Sequence, residues 1–149
     1  MLIQSLDQLQ QFYLDLPFNQ FLGLKCTTLN TEKATLTFTN KPEFIGNTVK
    51  KILHGGITTS VLDASGGLLA LANLFNKFED KSIEEKIELM GKSSTIDIRV
   101  DFLRPGLGKN FTVEVELLRS GSRIAVTRMK LVNEKGIIAA GSATYLLGC

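Results

Sequence analysis

The chain is 149 residues long, 44% hydrophobic and 21% charged, which suits one globular domain that buries its core without disulfides or metal. A net charge of +2 is too small to argue for a nucleic-acid partner, which calls for a clustered basic face. The two cysteines, Cys26 and Cys149, lie 123 residues apart, fit neither a disulfide framework nor a zinc motif, and point to a reducing cytoplasm. The opening MLIQSLDQLQ lacks a basic n-region and carries Asp7, unlike a signal peptide, and no apolar run approaches the ~20 residues of a membrane span.

In chain order, Ser5 and Gln8 match a capping box ahead of Leu6, Leu9, Tyr13 and Leu16, which recur at helical spacing. Pro17 can open a second short turn, PFNQFL, and Gly23 can close it. Residues 24–30 and 33–39 read as a hairpin, with Ala34, Leu36 and Phe38 alternating with threonines. Residues 41–51 have no clean period and read as a loop.

From Gly56 to about Asn76 the helical period returns in two stripes. Ile57, Val61, Ala64, Leu68, Leu71 and Phe75 form an apolar one; Gly56, Ser60, Asp63, Gly67 and Ala70 form one of small residues, which invites close approach by another surface. Residues 82–90 predict a short helix inside a charged insertion, 79–92, capped by Ser82 and Glu85 and stopped by Gly91. Four strands follow at 94–103, 111–118, 123–132 and 136–147. In the first, Ile96, Ile98, Val100 and Phe102 face one way and Thr95, Asp97, Arg99 and Asp101 the other, where Asp97, Arg99 and Asp101 read as a solvated or paired surface. The last is apolar on both faces, as a central strand would be. The order predicts an α+β domain in which an antiparallel sheet of about six strands wraps one long helix.

The stretch HGGITTSVLDASGG, residues 54–67, holds the only histidine and a lone aspartate in an apolar helix. Glycines at a helix start let a ligand approach the backbone, and the first helical amides point outward without internal partners. Together with the helix dipole they make an anion site of the kind an oxyanion hole uses. Asp63 lies eight residues beyond Gly55, roughly 12 Å along one helix. Reacting atoms must approach to about 3–3.5 Å, so the two groups serve one reaction only if they come from different subunits. Two such helices packed antiparallel about a two-fold axis would bring Gly55 of one chain to Asp63 of its mate. Considered alone, Asp63 is a helix-interior carboxylate satisfied by Ser60 or Thr59, and His54 a turn residue.

HGGITTSVLDASGG resembles the active-site helix of hotdog-fold acyl-CoA thioesterases of the PaaI type, with His-Gly-Gly followed by Asp nine residues after the His. FIGNTVKKILHGG and STIDIRVDFLRPGLG are similar to the YigI-like branch of that family, and the likeness runs from about Pro17 to Leu147. The resemblance implies a hotdog fold and hydrolysis of medium- to long-chain fatty acyl-CoA to free acid and coenzyme A. It implies no metal and no cofactor, coenzyme A being part of the substrate. Its partners would be acyl-CoA and its own copies, as a homodimer or a dimer of dimers.

By position, the Gly55 amide would hold the thioester carbonyl, with Gly56 beside it, and His54 would orient the thioester. Asp63 of the partner subunit would act as nucleophile or as general base, and Thr95 would touch the attacking water. Arg119, Gly121, Ser122 and Arg123 fall on the hairpin that meets the CoA nucleotide. The family often has Asn six residues before the His; that position is Thr48 here, and Asn47 stands one earlier as the candidate. An acyl-thioester hydratase fits less well, since no proline follows the His-Gly-Gly at short range. A rival of another class is a non-catalytic acyl-CoA binding domain, which would have no need of Asp63.

Overall fold

A computed structural model describes residues 3–148, so the reading of Cys149 lies outside it. Ser5 caps helix α1 (Leu6–Leu14), its Oγ accepting from the Gln8 amide at 3.3 Å. The capping box is only half formed, because the Gln8 side chain takes the Gln4 amide instead of that of Ser5. Pro17 begins α2 (Pro17–Leu22), and Gly23, at φ 69°, closes it in the left-handed region that favours glycine. Strands β1 (Lys25–Leu29) and β2 (Lys33–Thr39) form the expected hairpin, with Ala34, Leu36 and Phe38 buried. Residues 41–51 are more ordered than a loop: a 3-10 turn at Pro42–Phe44 leads into β3 (Ile45–Asn47), which pairs with β4 (Ile52–Leu53). Strands this short leave no period to read.

Helix α3 (Gly55–Lys77) starts one residue earlier than expected. Helix α4 (Ile83–Lys92) has the complete Ser82–Glu85 capping box. Gly91 lies inside α4 and does not end it, and α4 passes without a loop into β5 (Ser93–Phe102). Strands β6 (Asn110–Ser120), β7 (Ile124–Asn133) and β8 (Gly136–Leu147) complete an antiparallel sheet of order β1-β2-β6-β7-β8-β5. Strand β8 is internal but not central, since only β5 separates it from solvent. The core forms where Phe111, Val113, Met129, Leu131 and Ile138 of the sheet meet Val61, Leu62, Leu68 and Leu69 of α3.

Three details change the expected picture. The stripes of α3 are not separate surfaces, because Leu62, Ser65, Leu69 and Ala72 are buried too. The small-residue stripe is partly covered by the chain itself, since a Cβ on Gly67 would lie 2.7 Å from the Tyr13 hydroxyl of α1. Strand β5 carries a bulge at Ile96: Thr95 pairs with Tyr145 and Asp97 with Thr144. The extra residue turns Ile96 out to solvent, 54% exposed, and puts Thr95 on the helix side with Ile98, Val100 and Phe102. Arg99 and Asp101 form the expected exposed ion pair, at 3.3 Å.

Among the described residues, α3 is the one helix long and apolar enough to cross a membrane by length and composition. The wrapped sheet accounts for that composition, with 61% of its most apolar window buried. Leu68 is fully buried in this core, so Leu68→Ala should cost about 2–5 kcal/mol in denaturant unfolding. Leu118→Ala, at a 46% exposed site, should cost less than about 0.5 kcal/mol.

Candidate active site

The start of α3 is shaped around His54. Its Nδ1 accepts from the Gly56 amide at 2.8 Å, capping the helix. An accepting Nδ1 carries no proton, so the ring's hydrogen sits on Nε2 and is free to donate. The amides of Ile57 and Thr58 both donate to the His54 carbonyl. Among the first-turn amides this leaves Gly55 N–H without an acceptor among the described residues. Of the two glycines, Gly55 therefore offers the open donor. Gly56 instead makes room for the cap, since a Cβ there would meet His54 Nδ1 at 2.9 Å. Gly46 of β3 backs the same imidazole, with a Cβ 2.7 Å from His54 Cα. Asn47 lies in this corner, but its Oδ1 accepts from the amides of Val49 and Lys50 and so caps its own turn.

Two turns further on, Asp63 is half-buried and accepts from the Thr95 hydroxyl at 2.9 Å on Oδ1. Thr59 and Ser60, the partners that a structural reading of Asp63 would give it, donate instead to the carbonyls of Gly55 and Gly56. The carboxylate's other close neighbour is the Tyr145 phenol, whose hydroxyl donates to the Asp63 carbonyl. A carboxylate fixed through one oxygen keeps the other to take a proton or to attack a carbonyl carbon. Both Asp63 and Thr95 open onto a largely apolar cavity of about 430 Å³. Gly55 opens onto a different cleft, beside Phe102 and Arg104. One chain therefore does not bring Gly55 and Asp63 together.

The backbone under Asp63 is gripped from both sides. The Tyr145 hydroxyl of β8 donates to the Asp63 carbonyl at 2.9 Å, and the Tyr13 hydroxyl of α1 donates to the next carbonyl, Ala64, at 2.8 Å. The pair Gly66-Gly67 admits them, since a Cβ on Gly66 would collide with the Tyr145 hydroxyl. Burial and the Asp63 charge raise both phenols well above the ordinary tyrosine range, so both remain donors. Sequence reading missed this pair, although the adjacent glycines inside a helix were its signal.

Arg119, Gly121, Ser122 and Arg123 sit at the far end of α3, where Lys77 Nζ donates to Ser120 Oγ and the Gly121 carbonyl, both at 2.6 Å. Twenty-two helical residues, roughly 33 Å, separate Gly55 from Lys77, so one chain does not bring this hairpin to His54. Lys77 adds a cation to the hairpin that sequence reading had not singled out.

Residues 46–146 match the family described as the acyl-CoA thioesterase N-terminal domain. The medium/long-chain acyl-CoA thioesterase YigI of Escherichia coli K12 is 40% identical over 140 residues, 93% of this chain and 90% of that one. A crystal structure from Shewanella oneidensis, related to the thioesterase superfamily, is 41% identical, with a TM-score of 0.87 over 95% of this chain and 94% of that one. A structure from Syntrophus aciditrophicus is 36% identical, with a TM-score of 0.81 over 93% and 92%. The chain belongs to the hotdog-fold acyl-CoA thioesterases, in their YigI-like branch. It is a thioester hydrolase whose substrate is an acyl-CoA.

The grip on the helix is testable by a double-mutant cycle. Gly67→Ala should destabilise the fold by about 1–3 kcal/mol through the clash with Tyr13. Tyr13→Phe alone should cost about 1 kcal/mol, and the double variant should be more stable than the sum of the two predicts. Chemical denaturation of the four proteins reads the coupling.

Proposed function

We propose that the chain hydrolyses medium- to long-chain acyl-CoA at sites shared between two subunits, with Asp63 and Thr95 supplied by one and Gly55 and His54 by the other. The observation that carries this is the Asp63–Thr95 hydrogen bond at the wall of an apolar cavity, about 12 Å of helix away from the open Gly55 amide. The printed name of the YigI relative supports the chain-length class.

The edge strand β5 supports the assembly. It exposes Ile96, Phe102 and Leu103 and has no partner on its outer side among the described residues. Thr95 near one end touches Asp63, and Phe102 at the other end lines the cleft beside Gly55. A two-fold axis near Arg99, at the middle of the strand, would set Thr95 opposite Phe102 of the partner subunit. The two halves of the site would then meet across the seam, twice per dimer. The cytoplasmic location read from cysteine usage belongs to the same proposal.

In this arrangement the thioester oxygen accepts from Gly55 N–H while Asp63 takes a proton from water. The water oxygen bonds to the carbonyl carbon, and the negative charge that develops on the oxygen is held by the amide and the helix dipole. The C–S bond then breaks, and coenzyme A leaves as thiolate and takes the proton from Asp63. Direct attack by Asp63, followed by hydrolysis of the anhydride, uses the same free oxygen. The Arg119–Arg123 hairpin, with Lys77, is the proposed contact for the nucleotide phosphates. Asn47 and Gly56 contribute by shaping the corner around His54.

Asp63→Ala should lower CoA release by about 10²–10⁴-fold while retaining acyl-CoA binding. Gly55→Pro removes the amide hydrogen at a position where proline suits a helix start, and His54, at φ −62° and ψ 134°, is already in the conformation that precedes proline. It should lower turnover by about 10²–10³-fold in a folded protein. Co-refolding the two inactive variants should restore about a quarter of wild-type activity, because half the dimers are mixed and each has one intact site. Wild-type activity in an isolated monomer, or no recovery in the mixture, would rule out the shared site. Tight binding without CoA release from any acyl chain would favour the binding domain instead.

A further inference from the structure

Helix α4 has no buried residue, yet it is strongly two-sided. Of its five charged residues, Glu84, Glu85, Glu88 and Lys92 take the solvent side, tied by the Lys92–Glu88 and Lys81–Glu85 pairs, while Lys86 lies over the Phe75 ring. Its other side supplies Ile87, Met90 and Gly91 to the wall of the cavity at Asp63. Phe12 of α1 and Leu16, which follows it, also line the cavity. Phe12, Leu16 and Ile87 remain 42%, 39% and 41% exposed, so the cavity mouth carries large apolar side chains that no described residue fully covers. Asp63, held by Thr95, is the one carboxylate among the described residues that line the cavity. The volume, about 430 Å³, is in the range of pockets that enclose a small-molecule ligand (~300–1,000 Å³).

We propose that this cavity holds the fatty acyl chain of the thioester and that α4 is its outer wall, so that Ile87, Met90 and Gly91 set the chain length accepted. The inference rests on Asp63 acting at the thioester carbonyl. A carbonyl placed at Asp63 leaves its alkyl chain one apolar direction to run, between α1 and α4. The occupant covers the exposed rim, and each methylene it buries adds about fourfold to affinity. The fully buried Val61, Leu62 and Leu68 of α3 belong to the core and have no part in this.

Gly91 gives the sharpest test. A Cβ there meets no atom within 4 Å, so a side chain has room to enter, and replacing a helical glycine favours the helix. Gly91→Leu and Ile87→Ala are compared with wild type on saturated acyl-CoAs from short to long. Glu84→Ala, on the solvent side, serves as control. Gly91→Leu should move the optimum to shorter chains and lower kcat/KM on long ones by about fourfold per methylene displaced. Ile87→Ala should move it to longer chains, and Glu84→Ala should leave the profile where it is. The same series is repeated as equilibrium binding of acyl-CoA to Asp63→Asn protein, which needs no turnover. Chain-length profiles and affinities that run parallel in all four proteins would overturn the proposal even with hydrolysis intact. Binding that follows α4 in a protein that releases no CoA would uphold the acyl site and overturn the hydrolytic reading instead.

Discussion

The carboxylate of Asp63 stands eight positions along the helix from the open amide of Gly55, and the helix rise fixes their separation at roughly 12 Å. No loop movement shortens that distance, because α3 is sheathed by the sheet along its length and its Leu62, Leu68 and Leu69 are locked in the core. The rest of the architecture follows from the constraint. A strand that touches Asp63 near one end and lines the cleft beside Gly55 at the other runs along the sheet edge, where a second copy can reach it. In the proposed assembly the helix supplies both halves of the chemistry, and the edge joins halves from different copies.

Placing a carboxylate in a core helix costs desolvation, and the surroundings of Asp63 show how it is offset. Thr95 supplies a hydroxyl to one oxygen, the cavity leaves the other accessible, and the chain's two tyrosines fix the backbone beneath. Adjacent glycines weaken a helix, and here they trade that propensity for two inter-element hydrogen bonds at the residue where position matters most. The tyrosines arrive from α1 and β8, opposite ends of the sequence, so the site's geometry depends on the whole fold being closed.

Much of this was legible in the sequence. The long helix, the strand order and the capping of α4 follow from periodicity and local hydrogen-bonding chemistry that act over a few residues. The separation of Gly55 and Asp63 follows from helix geometry alone. What was not legible depends on pairings between distant segments. A strict two-residue period put Thr95 on the solvent face of its strand; the bulge at Ile96 is set by the β8 register, and no local signal announces it. The small residues of α3 invited a second chain as their neighbour, when α1 of the same chain covers Gly67. Gly91 read as a helix stop because glycine usually is one, but α4 runs through it into β5.

The bulge also ties the site to the register of the strand rather than to its composition. Thr95 faces α3 because one residue more than the pleat allows stands between it and Asp97. Excising Ile96, an exposed side chain that touches none of the reacting groups, would restore regular alternation and leave the hydroxyl on the helix side, beside an Asp97 that still faces out. Keeping Ile96 and smoothing the bulge away would instead turn Thr95 outward, and the carboxylate would lose its partner with every residue type still in place. Among relatives, a gap at this position is therefore compatible with an intact pair, whereas a slipped register is not.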